Sequence, residues 1–161
     1  MPRPPSARDL ADPASPAYVV EESPFFLLNR ATATYAMQMS RAMRRVGADI
    51  PSWRVLVLAE QRGPISVSAL ADLAVIRLST VTKVVQRLAR AGLIRVRRSR
   101  KDRRVTEVLI SARGRAAARA VRETASGIFR RAFAGTGDAE LRELNRLLRR
   151  LVDNMETGPH G

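Results

Sequence analysis

Apolar residues recur every three or four positions in six stretches of the chain, and this spacing predicts six amphipathic helices. The stretches cover residues 24–46, 50–62, 69–74, 78–91, 111–134 and 138–155. Between residues 93 and 110 the period changes to two, which is typical of β-strands. Two apolar runs separated by a cationic tip at residues 99–104 therefore predict a β-hairpin built on Leu93, Ile94, Val96, Val105, Val108 and Ile110.

Start and stop residues fall at the ends of these stretches. Ser23 before Pro24 is typical of a helix start, and we expect Ser111 and Asp138 to cap two later helices. Gly92 is placed to end the helix over residues 78–91. Residues 65–67 form a three-residue strand candidate that can pair with the hairpin.

The segment from Ser66 to Ile110 thus predicts two short helices, separated by a break at residues 75–77, and then a hairpin. That order is typical of a winged helix-turn-helix, a unit that binds double-stranded DNA. The fold class we expect is mainly α with a small β-hairpin. The predicted winged helix-turn-helix covers residues 50–110, with helices on either side of it.

The second of these helices has the residue types that a DNA-reading helix needs. Its inner face is apolar, and its outer face offers small polar or cationic side chains that can meet base edges or phosphates. The start of the preceding helix can present backbone N–H groups to a phosphate, with Ser66 or Ser68 as its cap. The predicted outer face consists of Arg77, Ser79, Thr80, Thr82, Lys83, Gln86 and Arg87.

The hairpin is strongly basic. Like charges at this density repel one another unless a polyanion is present, and a narrow minor groove favours Arg. We expect the carboxylate of Asp102 to orient the guanidinium of Arg104, two residues on. The cations that face this acid are Arg95, Arg97, Arg98, Arg100, Lys101, Arg103 and Arg104.

Composition supports a polyanionic partner and argues against most other functions. The formal net charge is +14, and cysteine is absent, so disulfides, thiolate metal sites and thiol switches are excluded. The single histidine, His160, lies beside the C-terminus. We therefore expect no enzyme, no metal and no cofactor. No apolar run reaches the roughly 18 residues that a membrane span requires, so we expect a cytoplasmic protein that does not bind membranes.

The ends of the chain differ from its middle. Residues 1–17 are rich in proline and poor in apolar residues, which predicts a disordered arm. Residues 157–161 are expected to be a short tail. Between them, residues 18–156 are predicted to form a single domain.

From residue 26 to residue 155 the chain resembles the MarR (multiple antibiotic resistance regulator) family of bacterial winged-helix transcription factors. The resemblance lies in Ser52-Trp53-Arg54-Val55-Leu56 and in Ser79-Thr80-Val81-Thr82-Lys83. It continues through Ala91-Gly92-Leu93-Ile94, Asp102-Arg103-Arg104 and Ser111-x-x-Gly114. It implies a repressor that binds a pseudo-palindromic operator, and a minor-groove role for Arg104. Arg77 stands where the family usually has a capping serine, so that helix should start without a side-chain cap.

The resemblance also implies a homodimer in which the helices over residues 24–46, 111–134 and 138–155 intertwine. Two sequence features agree with it: the helix at 24–46 is aromatic at its start, and the last helix has a leucine seam wider than one short helix should bury alone. The residues that we expect at the interface are Phe25, Leu28, Ile128, Leu141, Leu144, Leu148 and Leu151.

Members of the family commonly leave DNA when a small acidic compound binds beside the DNA-binding lobe. The expected effector is an aromatic or organic acid or an acyl thioester, in a pocket lined by Asn29, Arg30, Ala33, Met37 and Trp53. Two other functions fit the residues: an architectural protein that coats DNA with little specificity, and a helical protein–protein adaptor whose basic face is solvated.

Overall fold

The computed structural model describes residues 3–45 and 47–157, with no side-chain detail at position 45. Residues 1, 2, 46 and 158–161 lie outside the described residues, and so do the last residue of the helix predicted at 24–46, His160 and most of the predicted tail. The helices are α1 (Ala7–Ala11), α2 (Pro24–Arg45), α3 (Ile50–Arg62), α4 (Val67–Ala74), α5 (Leu78–Arg90), α6 (Ala112–Ala132) and α7 (Asp138–Thr157). The strands are β1 (Ile65–Ser66), β2 (Ile94–Arg98) and β3 (Thr106–Ile110), and a 3₁₀ turn spans Val20–Glu22.

The three strands form one antiparallel sheet in the order β1-β3-β2. Val108, at the centre of β3, lies opposite Ile65 on one side and Val96 on the other, and its side chain is fully buried. The predicted hairpin and the pairing of the short strand with it are confirmed. The observed strand is one residue shorter than the predicted strand at residues 65–67, because Val67 is the first residue of α4.

Helices α3, α4 and α5 pack with the sheet around one apolar core. Its fully buried side chains come from every layer: Val55 of α3, Leu70 of α4, Val81 of α5 and Val108 of β3. Truncating a buried leucine such as Leu70 to Ala typically costs about 2–5 kcal/mol. The predicted mainly α winged helix-turn-helix is confirmed, since these elements follow one another from residue 50 to residue 110 in the expected order.

Local hydrogen bonds fix the ends of these elements. The hydroxyl of Ser66 accepts from the backbone amide of Ala69 at 3.1 Å and so caps α4. The hydroxyl of Ser111 accepts from the amide of Gly114 at 3.0 Å and caps α6. A Cβ atom at Gly114 would lie 1.9 Å from the carbonyl oxygen of Leu93, so glycine is required where α6 passes the start of the hairpin.

A second apolar cluster joins α2 to α6. Met39 and Met43 are fully buried there against Val121 and Ile128. Ile128 was expected at the dimer interface, but it is 4% exposed within the protomer and belongs to this cluster. Val121, Ile128 and the partly buried Ala125 therefore form the face of α6 that packs on helix α2 of its own chain.

The N-terminal segment differs from the disordered arm that composition predicted. Ser6 and Asp9 form a capping box: the Ser6 amide donates to the Asp9 carboxylate at 2.8 Å, and the Asp9 amide donates to the Ser6 hydroxyl at 3.2 Å. The amide of Val19 then donates to the carbonyl of Leu10 at 2.9 Å. These reciprocal bonds stabilise α1 locally. The proline content of the segment gave no indication of this short helix.

The chain divides into two compact units between Ile128 and Phe129. In the second unit the rings of Phe129 and Phe133 lie 4.9 Å apart, and α7 follows. Gly137 precedes α7 and donates its amide to the carboxylate of Glu140 at 2.8 Å, so Asp138 is the first helical residue and not the cap that we expected. No residue of α7 is buried among the described residues of the protomer.

Candidate nucleic-acid interface

Helix α5 separates an apolar face from a polar one, as the sequence predicted. Val81, Val84, Val85 and Leu88 are buried against the core. Thr82 is half-buried, and its hydroxyl donates a hydrogen bond to the carbonyl oxygen of Leu78, with 2.8 Å between the two oxygens. The other predicted reading residues are exposed on the opposite face: Arg77, Ser79, Thr80, Lys83, Gln86 and Arg87.

Arg77 occupies the N-cap position of α5 and makes no side-chain capping hydrogen bond. Its carbonyl accepts the first helical bonds, from the amides of Thr80 at 2.9 Å and Val81 at 3.1 Å. The expectation of an uncapped helix start is confirmed. The guanidinium of Arg77 thus takes no part in capping, and the residue is exposed at the start of the helix.

Arg87 has a role that the sequence did not indicate. Its Nη2 atom donates to the carboxylate of Asp49 at 2.5 Å and to the hydroxyl of Ser52 at 2.6 Å. Asp49 also caps α3 by accepting from the amide of Ser52 at 2.8 Å. This arrangement ties α5 to the start of α3, so the guanidinium that we predicted to face DNA forms hydrogen bonds within the protein.

The pKa of the Asp49 carboxyl is lowered by these contacts. Burial acts to raise it, but the hydrogen bonds from the backbone and hydroxyl of Ser52, together with the charge and hydrogen bond of Arg87, outweigh that effect. The carboxylate form of Asp49 is therefore stabilised in the folded protein. Because the partners lie 38 and 35 positions apart in sequence, helical spacing gave no sign of this cluster.

The tip of the hairpin is a closed turn with an internal polar anchor. The amide of Ser99, a buried residue, donates to the carbonyl of Val105 at 2.9 Å, and the amide of Val105 donates to the carbonyl of Asp102 at 2.9 Å. The Asp102 carboxylate accepts from the backbone amide of Arg104 at 2.9 Å. Among the described residues, Asp102 therefore orders the backbone of the tip and is not paired with the Arg104 guanidinium as we expected.

Two of the predicted hairpin cations are bound within the hairpin. Arg97 lies opposite Glu107 across the strands, and its Nε atom donates to that carboxylate at 3.0 Å. Arg98 donates to the hydroxyl of Thr106 at 3.2 Å. Hydrogen bonds from Ser99 and then from Arg97 lower the pKa of Glu107. The remaining cations of the tip, Arg100, Lys101, Arg103 and Arg104, are exposed.

A groove of about 870 Å³ runs between α5 and the hairpin. It brings together residues that the sequence had assigned to separate roles: the two serines at the start of α4, the polar face of α5 and one arginine of the tip. Leu78 also lines the groove, although its residue type gave no reason to expect it there. The residues that line the groove include Ser66, Ser68, Leu78, Thr82, Gln86 and Arg104.

Comparison with known proteins agrees with this geometry. The model of the MarR family matches residues 49–106. The HTH-type transcriptional repressor IacR of Pseudomonas putida is 36% identical over 146 residues, which are 91% of this chain and 87% of that protein. The chain belongs to the MarR family. As a member it is a transcriptional regulator and not an enzyme.

Two solved structures are similar to this MarR-family regulator. Bordetella bronchiseptica BpsR, whose DNA binding is regulated by 6-hydroxynicotinic acid, aligns with a TM-score of 0.74 at 26% identity, over 84% of this chain and 97% of that one. A Mycobacterium tuberculosis MarR-family protein in complex with p-aminosalicylic acid aligns with a TM-score of 0.64 at 25% identity, over 80% of this chain and 97% of that one.

The regulator has a second cavity, of about 340 Å³, on the opposite side of α5. Asp49, Ser52, Trp53 and Arg87 line it together with apolar residues of α3, α5 and α6. The Nε1 atom of Trp53 is buried and has no hydrogen-bond partner among the described residues. The cavity therefore combines one guanidinium, that of Arg87, with a largely apolar wall.

Trp53 is the one residue of the predicted pocket that lines this cavity. Asn29, Arg30, Ala33 and Met37 are exposed on α2, where the guanidinium of Arg30 lies 5.7 Å from the ring centre of Phe26. Helical periodicity identified a face of α2 but could not say what that face meets. Among the described residues no group of His, Cys, Asp or Glu could hold a metal ion, and no helix could cross a membrane.

Proposed function

We propose that this protein is a cytoplasmic, homodimeric repressor that binds a specific double-stranded DNA operator and leaves it when a small aromatic acid binds. The groove between α5 and the hairpin carries the proposal, because it brings the start of α4, the polar face of α5 and the tip of the hairpin together on one surface. With a net charge of +14, the protein has the electrostatic complement of a polyanion.

In the proposed complex, the start of α5 enters the major groove and offers Ser79, Thr80, Lys83 and Gln86 to the base edges. Ser66 and Ser68 place the start of α4 beside a phosphate, since the free backbone N–H groups of a helix start attract anions. The hairpin tip follows the duplex into the adjacent minor groove, where Arg103 and Arg104 enter a region of concentrated negative potential. Asp102 supports them by holding the turn.

The exposed apolar side chains of α2 and α7 support a homodimer. Phe25 is 58% exposed, and Leu144 of α7 is 39% exposed, with Leu28, Leu141, Leu148 and Leu151 half-buried. A helix whose leucines find no buried place in its own chain is best covered by a second copy. Two recognition helices would then lie about 34–36 Å apart, one DNA turn, and read a pseudo-palindromic operator.

The cavity beside Arg87 supports an aromatic acid as the effector. Its volume, about 340 Å³, lies at the lower end for small-molecule sites and suits one or two rings, whereas a coenzyme A thioester would not fit inside. A carboxylate can pair with the guanidinium of Arg87, and an aromatic ring can pack against the apolar part of the cavity wall, which includes Trp53. Such a ligand would compete with Asp49 for Arg87 and so alter the support of the DNA-reading helix.

The effector class also agrees with two similar proteins. The DNA binding of BpsR is regulated by 6-hydroxynicotinic acid, and the M. tuberculosis protein was solved with p-aminosalicylic acid. Both ligands are single-ring aromatic acids. We extend this ligand class, but neither compound in particular, to the present protein.

One binding experiment tests the proposal. The full-length protein selects duplexes from a random library, and the best sequence is then bound in the presence of unrelated DNA. A specific regulator should retain its site against roughly 10³-fold excess competitor. Displacement at low excess would instead indicate an architectural protein, and failure to bind duplex DNA at all would indicate the adaptor.

The effector is tested on the selected site. Titration with 6-hydroxynicotinate, p-aminosalicylate and other single-ring aromatic acids should weaken DNA binding for at least one compound. Arg87→Ala should abolish that response. If no compound shifts the binding curve, the effector part of the proposal fails while the DNA-binding part remains.

A further inference from the structure

Leu78 lies on the polar face of α5, although it is apolar. It is the first residue of the helix, and Thr82 and Gln86 follow it at four-residue intervals. All three line the groove that faces the hairpin. Leu78 is 53% exposed and is not part of either apolar cluster of the protomer. Packing in either apolar cluster of the described residues therefore does not account for an apolar side chain at this position.

The residues around Leu78 belong to the proposed DNA interface. Arg77 precedes it with a guanidinium that makes no capping bond. The hydroxyl of Thr82 already donates a hydrogen bond to the carbonyl of Leu78. Thr82 therefore offers the groove a hydrogen-bond acceptor and a methyl group but no donor. This end of the reading face is consequently less polar than its residue types suggest.

The chemistry of the major groove identifies what an apolar residue can contact there. The first residues of a recognition helix reach the base edges. Those edges carry hydrogen-bond donors and acceptors and, on thymine, a C5-methyl group, the apolar feature of the groove. Contact between a leucine and that methyl group removes apolar surface of both from water.

We propose that Leu78 contacts the C5-methyl group of one thymine in each half-site and thereby selects that base pair. The inference rests on the proposed DNA-binding function, since it concerns how the same groove distinguishes sequences. It adds a specificity-determining residue to the reading face, which otherwise consists of polar and cationic side chains.

Replacing thymine by deoxyuridine tests the contact, because it deletes the methyl group and leaves the pairing edge unchanged. Each thymine of the selected site is replaced in turn, and the affinity of the full-length protein is measured. At one thymine per half-site the wild-type protein should bind about four-fold more weakly, the effect of exposing one methyl group. Leu78→Ala should bind the thymidine and deoxyuridine sites equally at that position.

Leu73→Ala provides the matched control. Leu73 is 50% exposed on α4 but does not line the groove, so this variant should keep the wild-type sensitivity to the methyl group. Equal wild-type affinity for every deoxyuridine site would overturn the proposal, as would methyl sensitivity that survives in Leu78→Ala. A selected site without thymine would also overturn it. In each of these cases specific binding to the selected site stays intact, which separates this failure from failure of the proposed function.

Discussion

Arg87 of the DNA-reading helix donates to the carboxylate of Asp49, the N-cap of α3, with 2.5 Å between Nη2 and Oδ2. A residue whose position on α5 favours DNA contact is thus part of the internal support of that helix. Both residues also line the second cavity, together with Trp53. The same two side chains therefore line the cavity and join α5 to the start of α3.

The salt dependence of DNA binding should distinguish a supporting Arg87 from a DNA-contacting one. Each phosphate contact contributes about −0.9 to the slope of log K against log salt concentration. Arg77→Ala should reduce the slope by about that amount, since we expect its exposed guanidinium to meet a phosphate, whereas Arg87→Ala should leave it unchanged. Because the ion pair is about half exposed, Arg87→Ala should lower the free energy of unfolding by only about 1 kcal/mol or less. A slope reduced equally in both variants would place Arg87 on the DNA.

The lowered pKa of Asp49 predicts how the pair responds to pH. Its folded-state pKa lies below the unfolded value of about 4, so the stabilisation is present above that pH and is lost as pH falls through the folded-state pKa. Asp49→Asn keeps the ability to cap α3 but cannot titrate. The difference in free energy of unfolding between wild type and Asp49→Asn should be constant above about pH 5 and should shrink in more acidic solution. Denaturant titrations from pH 7 to pH 3 measure it, and a difference that does not change with pH would contradict the prediction.

Substitution of Asp102 should show whether its carboxylate acts by ordering the turn or by orienting the guanidinium of Arg104. Asn keeps an oxygen that can accept from the Arg104 amide, whereas Ala removes the acceptor. DNA affinity should therefore fall several-fold in Asp102→Ala and be close to wild type in Asp102→Asn, a difference of about 1 kcal/mol. If Asn weakened binding as much as Ala, the negative charge itself would be required, as expected for a carboxylate that orients the Arg104 guanidinium.

Charge introduced on the leucine seam of α7 should dissociate the dimer. Leu144→Arg places a cation among apolar side chains, where an unpaired charge is costly, so sedimentation should detect monomers and operator binding should weaken greatly. Asp153→Arg is the matched control, since residue 153 is exposed on the opposite face of the same helix. A Leu144→Arg protein that sediments as a dimer would remove α7 from the interface.

Much of this protein was predictable from local patterns along the chain. The periodicities of 3.6 and two located the helices and the hairpin, because each depends on residues within one element. Ser66, Ser111 and Gly92 mark element ends through bonds or backbone angles that span a few positions. The basic hairpin and the polar face of α5 could likewise be identified from residue type and spacing.

Only the tertiary structure decided which faces meet. The sequence predicts Arg87 on DNA, Ile128 in the dimer interface and Asn29 in the ligand pocket. Within the protomer, Arg87 is bound to Asp49, Ile128 is buried against Met39 and Met43, and Asn29 is exposed on α2. The surroundings of each of these three residues depend on contacts between segments far apart in sequence or on the rotation of a helix about its axis. A periodic pattern states that a helix has an apolar or polar face, but the partner of that face is set by packing of the whole chain.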